Sequence, residues 1–267
     1  MSDVLRLIAA VAPDYRATAE ELEGDRALFT LQLTLADGTV LGYRLEVRVS
    51  GKSASVREVE PRHLPGFCPQ RHINVDGTFC LYWTGAGSLD VTTADEARAW
   101  WETVWKYLTL QSRAEKKRRW PNNEEWAHGN AAAHQKNAID AAARLGGKFS
   151  DALAAQAITI QVQPKRRTAQ GPTLQVSVRG RYLYSVWLNS GKVVNRKQRC
   201  FCGASGKKTP LRLRACKRHA EDAADLALEL KRWQEAEALF WQTFQGKRCC
   251  GTCDSCPLQV NQGETSK

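Results

Sequence analysis

Two groups of residues in this chain have the types and spacing to do chemistry. The first is the segment His72-Ile-Asn-Val-Asp-Gly-Thr-Phe-Cys-Leu-Tyr-Trp83, which sets Cys80 directly after a glycine-containing turn. A cysteine thiolate is a good nucleophile, and the thioester it forms stays reactive towards an amine or a hydroxyl. A free thiol titrates at about 8.5, so some thiolate exists at neutral pH. The amide of Asn74 either stabilises a tetrahedral oxyanion, an interaction worth about 3 kcal/mol where it acts, or pins the loop. His72 reads first as a structural residue. The plainer alternative for Cys80 is an inert buried thiol among Phe79, Leu81 and Tyr82, since cysteine is among the most buried residue types. Cys68, in Pro65-Gly-Phe-Cys-Pro69, is the rival nucleophile and lacks the motif that surrounds Cys80.

The second group comprises seven of the nine cysteines and one histidine. They fall as Cys200-Phe-Cys202, Cys216-Lys-Arg-His219 and Cys249-Cys250-Gly-Thr-Cys253-Asp-Ser-Cys256. Two thiolates one or two residues apart can hold one ion from a tight turn, and tetrahedral zinc accepts such donors without redox demands. Cys200, Cys202, Cys216 and His219 make one complete ligand set. Cys249, Cys250, Cys253 and Cys256 make a second, so one or two structural zinc ions are expected. The adjacent Cys249 and Cys250 fit one ion awkwardly, which leaves a free thiol or a pair reaching to the first cluster as open arrangements. Iron–sulfur ligation is the competing chemistry, because Cys-x-x-Cys-x-x-Cys suits clusters as well. Disulfides are disfavoured by the close clustering and by an N-terminal stretch that does not read as a secretory signal.

The elements that must position these groups are partly written in the periodicity. Val4, Leu7, Ile8 and Val11 lie on one helical face, and Ala17–Glu23 reads as a second helical stretch. Phe29, Leu31, Leu33 and Leu35 alternate up to Asp37-Gly38, and Leu41, Tyr43, Leu45, Val47 and Val49 alternate beyond it, which predicts an antiparallel hairpin. Residues 50–92 carry little periodicity and hold the Cys80 segment. Helical spacing returns with Ala97, Trp101, Val104, Trp105 and Leu108. A further helix carrying Ala131–Ala133, Ile139 and Ala143 follows the start signal Pro121-Asn122-Asn123. Two or three short strands are expected between Ile158 and Leu188, then a helix from Ala220 to near Gln245. The fold class is α+β: a helix, an antiparallel meander sheet and closing helices, followed by a small mixed zinc-binding module. The expected division is 1–147 and 148–267.

The element order, together with His72-Ile-Asn74 and Asp76-Gly-Thr-Phe-Cys80-Leu81, resembles the ubiquitin-conjugating enzyme (UBC) family. Ile73 stands where that family has proline, and the spacing from Asn74 to Cys80 is shorter than in eukaryotic members. Both features look closer to divergent bacterial UBC-like proteins. The resemblance implies that Cys80 carries a ubiquitin-like modifier as a thioester, with Asn74 and His72 in the family's flanking motif. It also implies that a modifier and its activating enzyme are partners. The stretch from Cys200 to Lys208 resembles the SEC-C zinc motif, and Cys250-Gly-Thr-Cys253-Asp is similar to a zinc-binding stretch of RecQ-type helicases.

Charge divides as the cysteines do. Residues 1–150 carry 19 Lys and Arg against 19 Asp and Glu, whereas 151–267 carry 20 against 9. The whole surplus of +11 therefore lies in the second part. Lys165-Arg166-Arg167, Arg196-Lys197-Arg199 and Lys207-Lys208, interleaved with Tyr182, Tyr184, Trp187 and Phe201, either offset thiolate charge or form a surface for nucleic acid or an acidic partner. In the first part Lys116–Arg119 is a solvated face or a steering patch, and His128 and His134 read first as solvated or capping helix residues, with an acid or base near the thiol as the alternative. No run of apolar residues is long enough to span a bilayer, so a cytoplasmic protein with no membrane partner is expected. The leading expectation is a conjugating transferase with a zinc-stabilised recruiting module. The alternatives are a non-catalytic UBC-like zinc protein that binds nucleic acid or an acidic partner, and an iron–sulfur redox protein.

Overall fold

The computed structural model describes residues 2–60, 63–121, 126–164, 171–201, 211–216 and 218–262. The chain forms two compact units, 1–122 with 245–267, and 123–244. The expected division at 147/148 falls just inside the start of a helix of the second unit, and the cysteine-rich C-terminal stretch returns to the first.

The first unit opens with helix α1 (Asp3–Val11), which buries Val4, Leu5, Ile8 and Val11, and Ser2 Oγ caps it by accepting the Leu5 N–H. A four-stranded antiparallel sheet follows in sequential order: β1 (Ala17–Glu23), β2 (Arg26–Thr34), β3 (Val40–Ser50) and β4 (Ser53–Glu58). The expected helix over Ala17–Glu23 is therefore a strand. Its alanines and glutamates favour a helix locally, but pairing with β2 from Ala17↔Leu31 to Glu23↔Arg26 overrides that preference. Charged residues suit the exposed edge of a sheet.

The hairpin stands where Asp37-Gly38 predicts it. Gly38 takes φ +83°, Asp37 Oδ1 accepts the Thr39 N–H, and the register sets Phe29 against Leu45 and Leu31 against Tyr43. Helix α2 (Ala94–Lys117) lies across this sheet and is started by a capping box between Thr93 and Glu96. Trp100 and Trp101 are fully buried, and their ring N–H groups donate to the carbonyls of Ala54 and Ile8. These two bonds tie the helix to β4 and to α1.

The second unit pairs α3 (Ala131–Leu145) with α5 (His219–Gln242), adds α4 (Gly147–Ala154), and packs them with the antiparallel sheet β5 (Ile158–Gln163), β6 (Thr173–Val178), β7 (Arg181–Trp187) and β8 (Lys192–Val193). Leu174, Val176, Tyr184 and Val186 fill its core with the alanines of α3 and α5. Among the described residues no helix is long and apolar enough to cross a membrane.

Candidate active site and metal centre

The loop between β4 and α2 folds through a chain of backbone bonds rather than through regular structure. A short 3₁₀ turn, Pro69–Arg71, ends at His72 in the left-handed conformation, φ +56°. That reversal lets the His72 carbonyl accept the Cys80 N–H at 2.8 Å. Between them lies a tight turn in which Asn74 N–H bonds to Thr78 O and Gly77 N–H to Asn74 O. Gly77 has φ +80°, a region that favours glycine. Side chains reinforce the turn. Asn74 Nδ2 donates to Thr78 Oγ1 at 3.0 Å, and Asp76 Oδ1 accepts both the Thr78 N–H and its hydroxyl. These bonds hold the Asp76 carboxyl below the usual carboxylate range, the Thr78 hydroxyl contributing most. Phe79 points into the core and Cys80 outward, so Cys80 is exposed whereas Cys68 is only 1% exposed. The His72 ring lies against Trp120, with centroids 5.1 Å apart.

Beneath the loop is a polar lock that gives no sequence signal. Arg71 is 1% exposed; its Nε donates to Gln111 Oε1 and its Nη2 to the Gln111 carbonyl, while Gln111 Nε2 donates back to the Arg71 carbonyl. Tyr107 donates its hydroxyl to the carbonyls of Arg71 and His72. Burial pushes the Tyr107 phenol well above its ordinary value, so it stays a donor. No carboxylate pairs with Arg71 among the described residues.

In the second unit, Cys200, Cys216 and His219 converge. The Sγ atoms of both cysteines lie 3.2 Å from His219 Nδ1, and all three donor atoms lie within 4.8 Å of one another. The convergence is local. Arg199 bridges to Arg212, the turn Leu213–Ala215 presents Cys216, and the His219 N–H bonds to Cys216 O as α5 begins. A tetrahedral zinc with sulfur at about 2.3 Å and nitrogen at about 2.0 Å sets its S···N edges at roughly 3.5 Å, so these donors fit such an ion with small adjustments. Cys202 lies outside the described residues.

The cysteines at the C-terminus do not join that set. They gather in the first unit, where Cys250 Sγ stands 3.0 Å from Cys68 Sγ. Cys253 also engages Cys68, and Cys256 engages Cys249. The contact with Cys68 draws the Cys250 thiol down to about 5, and raises Cys68 correspondingly. The part played by Cys68 was not foreseen from the sequence, because a single cysteine between prolines carries no spacing signal.

His128 and His134 sit in the second unit beside α5: His128 Nδ1 is 2.5 Å from Glu237 Oε1, and His134 Nδ1 is 2.7 Å from Glu229 Oε2. Of the basic clusters, Arg196, Lys197 and Arg199 are exposed, while Lys165–Arg167 and Lys207–Lys208 fall outside the described residues. Tyr182 is exposed and Tyr184 buried.

Residues 15–122 match the family model of a prokaryotic E2 domain, and residues 127–258 match that of a cysteine-rich domain C-terminal to E2 domains. No curated protein and no solved structure matches the chain.

Proposed function

From a chain that joins a prokaryotic E2 domain to a cysteine-rich domain, we propose a conjugating enzyme that carries a ubiquitin-like modifier as a thioester on Cys80. The observation that supports this most is the exposure of Cys80 at the end of a turn clamped on both sides. The thiolate of Cys80 attacks the acyl carbonyl of the modifier held on its activating enzyme. The tetrahedral intermediate then collapses with expulsion of that enzyme's thiolate. An acceptor amine or hydroxyl next attacks the Cys80 thioester, gives up its proton and releases the Cys80 thiolate. His72 acts as a positioning residue, because its carbonyl fixes the Cys80 backbone. Asn74 acts in the same sense through Thr78, which holds the turn that presents the thiol.

Zinc bound by Cys200, Cys216 and His219 supplies folding free energy to the second unit. That unit then serves as the recruiting module for a substrate or partner. The test is incubation with ATP, a cognate activating enzyme and its modifier, followed by a non-reducing gel, with charging of the activating enzyme as control. A thiol-sensitive adduct absent from Cys80→Ala supports the reading. A folded protein that stays uncharged while the control is positive overturns it.

A further inference from the structure

We propose that Cys68 belongs to a second metal site, completed by the C-terminal cysteines, which clamps the end of the chain onto the loop that presents Cys80. Cys68 is buried in the core of the first unit, and its sulfur lies 3.0 Å from that of Cys250, 182 residues away in the chain. That distance is too long for a disulfide, which needs about 2.05 Å. It is shorter than the roughly 3.7 Å between two thiolates on one tetrahedral zinc, so an ion seated between them spreads the sulfurs by under an ångström. Cys253 also faces Cys68, and Cys256 faces Cys249, so the tail carries the thiols from which the remaining donors would be drawn. Cys249, Cys253 and Cys256 are all buried. Among the described residues no three of these sulfurs lie within the 4.8 Å span that joins Cys200, Cys216 and His219; thiols paired in this way suit a soft divalent ion, which would draw them together, better than a single cystine.

Two further observations fit a clamp. The tail is already docked beside the site: Arg118 donates to Asp254 Oδ1 and to the Gly251 carbonyl, and the Asp254 N–H bonds to Arg118 O. Among the described residues, the buried Arg71 guanidinium hydrogen-bonds only to the neutral Gln111. A divalent ion held by four thiolates is net negative and answers that buried cation. Binding releases the thiol protons to solvent and needs no oxidant. Through Cys68, whose backbone pairs with Ile73, the ion would brace the strand-like stretch that carries His72 and Cys80. The clamp does not depend on the thioester chemistry proposed above.

The experiment measures metal content of the full chain, reconstituted with zinc alone, by elemental analysis and native mass. Cobalt(II) substitution reports sulfur ligation by its visible spectrum. Lys247 and Arg248 are exposed just before the tail, so trypsin there reads whether the tail stays attached. The expected result is the loss of one metal equivalent in Cys68→Ser and the same equivalent in Cys253→Ser. The double variant loses no more, Cys216→Ser loses a different equivalent, and the nicked tail stays bound until a chelator is added. Cys253→Ser lies on the tail and tests the site even if Cys68→Ser fails to fold. Full metal content in Cys253→Ser, or a Cys68–Cys250 disulfide in the metal-loaded protein, overturns the proposal.

Discussion

Replacing Gln111 by leucine and Tyr107 by phenylalanine removes two neighbouring polar groups from the same lock, yet the structure makes their costs unequal. Without the Tyr107 hydroxyl, the His72 carbonyl keeps the Cys80 N–H and the Arg71 carbonyl keeps Gln111 Nε2. Nothing buried is orphaned, so Tyr107→Phe costs about 1 kcal/mol, the net worth of one hydrogen bond. Without the Gln111 amide, the Arg71 carbonyl keeps Tyr107, but the buried guanidinium loses the acceptor of its Nε. A charged donor left unpaired in the core costs roughly 3 kcal/mol. With a urea slope of about 1.5 kcal/mol per molar, the midpoint falls by roughly 2 M in Gln111→Leu and roughly 0.7 M in Tyr107→Phe. Urea unfolding followed by amide exchange at Cys68, Arg71 and His72 assigns the transition to the first unit. The double variant strips the Arg71 carbonyl of both side-chain donors, so its cost should exceed the sum of the two. Equal midpoints for the single variants would refute the reasoning.

Two further outcomes concern the second unit. Glu229 and Glu237 are held below the usual carboxylate range: burial opposes ionisation, but His134, Arg232 and Asn137 outweigh it at Glu229, and His128 and Trp241 at Glu237. A carboxylate depressed in the folded state contributes stability that is present above its unfolded pKa and lost as pH falls through its folded value. The second unit should therefore weaken below about pH 4.5, and Glu229→Gln should cost ~1–2 kcal/mol near neutrality with a flatter acid limb, both read from unfolding midpoints between pH 6 and pH 3. Cys216→Ala should abolish metal binding at the Cys200–His219 cluster and speed amide exchange in the first turn of α5, and a metal content equal to wild type would count against that site.

Local signals carried much of this fold, and long-range contacts carried the rest. The Asp37-Gly38 hairpin was legible because turn chemistry and strand alternation agree there, and α2 because its tryptophans repeat at helical spacing. Ala17–Glu23 was misread because its composition favours a helix, while a partner strand decides its state. Glu46 shows the same limit. On a strand face that alternation marks as polar it is 2% exposed, because Arg26, Arg48 and Arg57 close over it. At the sites, Cys200, Cys216 and His219 lie close in sequence and their meeting could be foreseen. The meeting of Cys68 with Cys250 is set only by where the C-terminal stretch returns. Arg71 had no signature at all, since its burial depends on a glutamine 40 residues away.

The central claim is that Cys80 is the acyl-carrying nucleophile. The most direct measurement compares charging of wild type and Cys80→Ser with a cognate activating enzyme and modifier, followed by treatment with thiol and with hydroxide. A thiol-labile adduct on wild type, replaced in Cys80→Ser by a thiol-resistant, hydroxide-labile ester mapped to residue 80, is the predicted result. A thiol-labile adduct that persists on Cys80→Ser would place the acyl group on another cysteine and contradict the claim.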